Sequence, residues 1–176
     1  DSLQLSPMNT FASLGLLRAA VVTPEVRVAD VRFNLARTIE ALRSARNEGA
    51  ALAVFPERGL TSYSCGDLFH QTLLIDEARD ALLELAPHTE VLNIAAVVGL
   101  PLRVDGRLFN CAALLANGRV LGIVPKTYLP NYSEFYDERW YSSARYATAT
   151  SIALNGESVP FGTDLLFRAT DFEGCV

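Results

Sequence analysis

Two residues in this sequence pair a reactive side chain with a telling position. Glu57 follows the short apolar run Ala51 to Phe55 (ALAVF), and Lys126 follows a second run, Val120 to Val124. Both runs read as buried strands stopped by a proline, Pro56 and Pro125. In α/β sheets the carboxyl ends of strands form the crevice where ligands bind. A carboxylate and an ammonium meeting there can act as general base and as stabiliser of developing negative charge. A structural ion pair at the sheet edge is the other reading, and spacing leaves both open.

A nucleophile is harder to place. Of the three cysteines, Cys65 lies in the loop after Glu57, and Cys111 lies inside a strand, where cysteine usually serves as a small hydrophobe. Cys175 follows the turn Asp171 to Gly174, which puts it at the start of a strand, the wrong end for the site. Their odd number and wide spacing argue against a disulfide framework and for a reducing, cytoplasmic compartment. With only His70 and His88, and no nearby Cys or His partners, neither a zinc site nor a Ser–His–Asp triad is supported.

The elements that must position Glu57 and Lys126 follow from patterning. Leu17 to Thr23 reads as a buried strand. Asp30 then caps a helix with Leu35, Ile39, Leu42 and Ala45 on one face, closed by Gly49. Strand, helix and strand in that order predict a right-handed crossover and a parallel pair. After a polar loop, Arg58 to Gly66, Asp67 is expected to cap a helical stretch, continuous or broken, that reaches Leu85. Leu92 to Leu100 is the third strand and Leu108 to Ala116 the fourth, with a turn at Asp105–Gly106 between them. Asn117–Gly118 predicts a hairpin into Val120 to Val124. Lys126 to Tyr141, aromatic and charged, reads as a long ordered loop of the kind that carries function. The last strand candidates are Val159 to Phe161 and Leu165 to Phe167.

Composition sets the outer limits. The 176 residues are half apolar and 20% charged, with a net charge of −5, which suits one globular α/β domain. Basic residues are outnumbered and unclustered, so a nucleic-acid partner is not expected. No apolar run reaches the length of a bilayer span, so no membrane partner is expected either. Asp1 to Pro7 has no signal-peptide pattern, and Asp1 need not be the native start.

The wording around the two reactive residues is more specific. Phe55-Pro56-Glu57 with Leu60-Thr61-Ser62-Tyr63-Ser64 resembles the first catalytic motif of the nitrilase (carbon–nitrogen hydrolase) superfamily. Pro125-Lys126-Thr127-Tyr128-Leu129-Pro130-Asn131-Tyr132-Ser133-Glu134-Phe135-Tyr136-Asp137-Glu138-Arg139 resembles its second. Gly66-Asp67-Leu68-Phe69 and Phe161-Gly162-Thr163-Asp164-Leu165-Leu166-Phe167 narrow the likeness to the glutaminase domain of glutamine-dependent NAD synthetases. The pattern departs at Ser62, where the family usually has glycine, and a serine there restricts the turn if φ is positive.

The resemblance implies a four-layer αββα sandwich, incomplete in this chain, with residues 1–176 forming the N-terminal part of the hydrolase domain. It implies hydrolysis of the glutamine side-chain amide through a covalent thioester, with Glu57 as general base and Lys126 as stabiliser of the tetrahedral intermediate. Tyr132 matches a substrate-pocket position, and Glu134 a second glutamate that helps hold the lysine and substrate. A core aromatic and a partner for Arg139 are the plainer readings of those two. The family cysteine is expected beyond Val176, so the chain alone is expected to be inactive. No cofactor or metal is expected for the hydrolysis. ATP and magnesium are implied for a synthetase domain outside this chain. The expected partners are glutamine, that synthetase domain and further copies of the chain. A free-standing amidase or carbamoylase, or a non-catalytic module of the same fold, are the alternatives.

Overall fold

The computed structural model describes residues 16–169. Five strands form one mixed sheet in the order β1 (Ala19–Val21), β2 (Leu52–Val54), β3 (Ala95–Val104), β4 (Arg107–Ala116) and β5 (Arg119–Pro125). The first three run parallel, and β3, β4 and β5 are successive antiparallel neighbours. β5 therefore points the same way as β2. Their carboxyl ends lie at one edge of the sheet, as the two proline-stopped runs predict.

Helix α1 (Val31–Asn47) connects β1 to β2, and α2 (Thr72–Leu92) connects β2 to β3. The Asp30 carboxylate caps α1 by accepting from Phe33 N at 3.0 Å, and Gly49 takes φ 83° just beyond its end. α2 packs on β3, β4 and β5, while α1 packs on α2. The period-2 alternation of β4 shows which face is covered. Phe109, Cys111, Ala113 and Leu115 are buried, whereas Ala112, Leu114 and Ala116 are half-buried.

Several elements differ from the sequence expectation. The expected buried strand Leu17 to Thr23 shrinks to three residues and is not buried, with Val21 87% exposed. It is the sheet edge, flanked only by β2, so its apolar residues lack cover among the described residues. Asp67 does not cap the long helix. It sits in a 3-10 turn, Gly66–His70, and Gln71 breaks the chain before α2 begins. α2 runs past Leu85 through Pro87 to Leu92, and Asn93 ends it in the left-handed conformation. Leu92 thus belongs to the helix, and β3 extends instead through Pro101 to Val104, because Pro101 lies beyond the stretch paired with β2.

A second sheet, β6 (Ser151–Leu154) with β7 (Glu157–Pro160), closes on Asn155–Gly156, both at positive φ. It packs beside β5, and Phe161 bridges to Ile123. Leu165 to Phe167 is not a strand. Leu166 is 98% exposed, and the segment instead lays Leu165 and Phe167 against Gly122. The turn at Asp171 to Gly174 and Cys175 lie outside the described residues.

Candidate active site

Glu57 is aimed by a turn that presses its backbone onto the sheet. After Pro56 the chain folds back through bonds from Gly59 N to Pro56 O (3.1 Å) and from Thr61 N to Arg58 O (3.0 Å). Arg58 and Ser62 both sit in the left-handed region, at φ 55° and 76°. Such a turn fits against β3 only because position 99 is glycine. A Cβ there would stand 2.5 Å from Arg58 N, 2.6 Å from Pro56 O and 2.9 Å from Glu57 Cα. Lys126 is anchored from the other side. Its N–H donates to Asn110 O at 2.8 Å, and its carbonyl accepts from Ala144 N at 3.0 Å.

The two side chains meet. Lys126 Nζ donates to Glu57 Oε1 and Oε2, each at 3.2 Å, and to Asp137 Oδ2 at 3.2 Å. Glu57 Oε1 also accepts from Asn110 Nδ2 at 2.6 Å and lies 3.1 Å from Arg58 Nη2. Oε1 thus takes hydrogen bonds from both Asn110 and Lys126, while the hydrogen bond to Oε2 comes from the lysine. Burial by itself raises the Glu57 pKa. The Asn110 hydrogen bond and the charges of Lys126 and Arg58 outweigh it, so the carboxyl titrates below its ordinary value. A carboxylate with one oxygen fixed and the other available is suited to accept a proton.

The pair opens into a cavity of about 380 Å³ lined by Phe55, Val97, Gly99, Ala112 and Val124 on the sheet face away from the helices. Apolar walls around a few convergent polar groups are the usual makeup of a small-molecule site. Among the described residues, no group of three or more His, Cys, Asp or Glu side chains is arranged to hold a metal ion. No helix among them is long and apolar enough to cross a membrane.

The motif residues do not all converge. Tyr132 is 69% exposed and stacks edge-on with Phe135, and Glu134 is exposed. Neither makes a hydrogen bond or ion pair with Glu57 or Lys126. The second acid on Lys126 is Asp137, not Glu134, because the chain returns from Pro130 to bury Asp137 while residues 131–134 face outward. Nor does Glu134 pair with Arg139, whose guanidinium makes a two-pronged contact with Asp67, both bonds at 2.7 Å. That contact and the Trp140 indole hold the Asp67 carboxyl well below its usual range.

Neither described cysteine suits a nucleophile. Cys111 is buried, and burial pushes its thiol far above the ordinary range. Burial also raises Cys65, which donates to Thr61 O at 2.9 Å.

Four site residues went unread in the sequence: Arg58, Gly99, Asn110 and Asp137. Two carried a signal. Gly99 interrupts the apolar run AAVVGL, the mark of a close backbone approach, and Asn110 is the lone amide in LFNCAALLA.

Comparison with known proteins places this geometry. The carbon–nitrogen hydrolase family model matches residues 18–165. The chain belongs to the carbon–nitrogen hydrolase family. It is 43% identical, over 96% of its length, to the glutamine-dependent NAD(+) synthetase of Mycobacterium tuberculosis, and covers 25% of that protein. It is 34% identical, over 71% of its length, to the enzyme of the same name from Thermotoga maritima, covering 22% of it. The crystal structure of a glutamine-dependent NAD(+) synthetase from Cytophaga hutchinsonii superposes with a TM-score of 0.81 at 28% identity, over 88% of this chain and 26% of that one. An amidase from Nesterenkonia sp. shares the fold, with a TM-score of 0.62 at 22% identity over 81% of this chain and 53% of that one. The chain thus spans about a quarter of the synthetases it matches. The described residues form a five-stranded sheet backed by one helix layer, with a two-stranded sheet beside β5.

Proposed function

We propose that this chain is part of a glutamine-hydrolysing domain that supplies ammonia for NAD synthesis in the full-length protein. The observation that carries the reading is the Glu57–Lys126 pair beyond the carboxyl ends of β2 and β5, with Asn110 fixing one glutamate oxygen. The 43% identity to a glutamine-dependent NAD(+) synthetase supports it over a free-standing amidase, where the likeness is one of fold.

In this mechanism a cysteine outside the described residues is the nucleophile. Glu57 Oε2 takes the thiol proton as the thiolate adds to the amide carbon. Lys126 turns one N–H from Glu57 to the developing oxyanion. The tetrahedral intermediate collapses, and Glu57 returns the proton to the departing ammonia. Water, deprotonated by the same carboxylate, then cleaves the thioester to glutamate and free thiol. Tyr132 and Glu134 are assigned as substrate contacts on the motif alone, since neither lines the cavity. ATP and magnesium serve the synthetase part of the protein, and no residue of this chain is assigned to them.

The test is Lys126→Ala in the full-length protein. Loss of one oxyanion donor, about 3–4 kcal/mol, should cut glutamine hydrolysis by roughly two to three orders of magnitude. Synthesis from added ammonia should continue. Unchanged hydrolysis, or equal loss of both activities, would contradict the assignment.

A further inference from the structure

Arg58 is the largest fully buried side chain among the described residues, and the catalytic motif does not account for it. Its guanidinium lies between the two acids of the site, with Nη2 3.1 Å from Glu57 Oε1 and Nη1 3.4 Å from Asp137 Oδ1. Asp137 is also buried and takes Lys126 Nζ on its other oxygen. Three aromatic rings enclose the cation: Tyr63 with its centroid 3.7 Å from Cζ, Tyr141 at 5.3 Å and Phe69 at 5.6 Å.

Packing does not explain this residue. Arg58 Nε has no hydrogen-bond partner, Nη2 meets Glu57 only as an ion pair, and the buried Tyr141 hydroxyl lies beside the guanidinium. An apolar side chain would fill the same space without burying an under-satisfied charge. Charge does explain it. Glu57 and Asp137 both reach Lys126, so without Arg58 one ammonium would face two carboxylates. With it, the four groups balance, two positive and two negative.

We propose that Arg58 is a positioning residue for the hydrolytic site. It pins Glu57 Oε1 so that Oε2 faces the pocket, and it occupies Asp137 so that Lys126 remains free to turn toward substrate. The inference rests on the proposed function above and adds a residue to it.

The test uses full-length protein carrying Arg58→Met, Arg58→Lys or Asp137→Asn, with folding checked by melting. Besides each other, the charged and titratable groups that face Glu57 or Arg58 are Lys126, Asp137, Tyr63, Tyr141 and Cys65. Removing the cation should raise the Glu57 pKa, so the acid limb of kcat/KM for glutamine moves to higher pH in Arg58→Met. Removing the neighbouring anion should move it to lower pH in Asp137→Asn. We expect kcat/KM to fall at least tenfold in Arg58→Met, with Arg58→Lys restoring the limb but only part of the rate. Should Arg58→Met not fold, the Arg58→Lys rate and the Asp137→Asn shift decide the matter. Limbs that stay at the wild-type pH in the folded variants, with wild-type kcat/KM, would reduce Arg58 to scaffold. Wild-type protein that hydrolyses no glutamine would instead refute the functional reading beneath it.

Discussion

Gly99→Ala should separate the geometry of this site from its stability. The added Cβ would lie 2.5, 2.6 and 2.9 Å from three backbone atoms of the Glu57 turn. Against 3.4 Å, the near edge of ordinary contact, the shortfalls run from about 0.5 to about 0.9 Å. β3 cannot retreat easily, because Gly99 is registered with Ala112 in the long β3–β4 ladder. The turn must therefore lift by most of an ångström and carry Glu57 with it. Overpacking of this kind costs about 1–3 kcal/mol and should lower Tm. A misplacement near 1 Å can cost about 100-fold in rate, so kcat/KM for glutamine should fall by about 10- to 100-fold while ammonia-driven synthesis persists. Gly106→Ala is the control. It sits at φ 75° with nothing within 4 Å, so it should cost about 1 kcal/mol of stability and no activity. The assay is paired melting and steady-state hydrolysis in the full-length protein. Wild-type kcat/KM in a well-folded Gly99→Ala enzyme would refute the claim that this approach positions Glu57.

Ser62→Gly should raise stability by on the order of 0.5–1 kcal/mol, because Ser62 is held at φ 76°, where glycine is unstrained. Differential scanning calorimetry reads this directly, and a lower Tm would contradict it. Asn110→Leu removes the shortest bond to Glu57, so the Glu57 pKa should rise toward its ordinary value. A lowered folded-state pKa contributes stability above the unfolded value that is lost as pH falls through the folded one. The variant should therefore lose part of that contribution at neutral pH and show a weaker decline in stability below about pH 4.5. Its acid limb in kcat/KM should move to higher pH, and an unmoved limb would count against the hydrogen bond as the dominant control.

What the sequence made legible was the part of the fold set by local chemistry. Asp30, Gly49 and the Asn117–Gly118 turn each act within a few residues, and each lies where expected. The Glu57–Lys126 meeting was also readable, since proline-stopped strands bring their ends to one edge. Asp67 failed as a cap because a distant arginine, Arg139, won its carboxylate. Glu134 and Asp137 are three residues apart in one loop, and only the path of that loop decides which acid meets Lys126. Arg58 stayed hidden for a similar reason, since its rings and acids converge from separate parts of the chain.

Single-turnover acylation by full-length Glu57→Gln protein, with Tm recorded alongside, tests most directly whether Glu57 is the base. The amide keeps the shape and the bonding reach toward Asn110 and Lys126 but cannot accept the thiol proton. The account predicts that glutamine still binds and that thioester formation falls by roughly two orders of magnitude or more in a folded enzyme. Near-normal acylation in that enzyme would leave Glu57 a structural partner of Lys126 and contradict the mechanism.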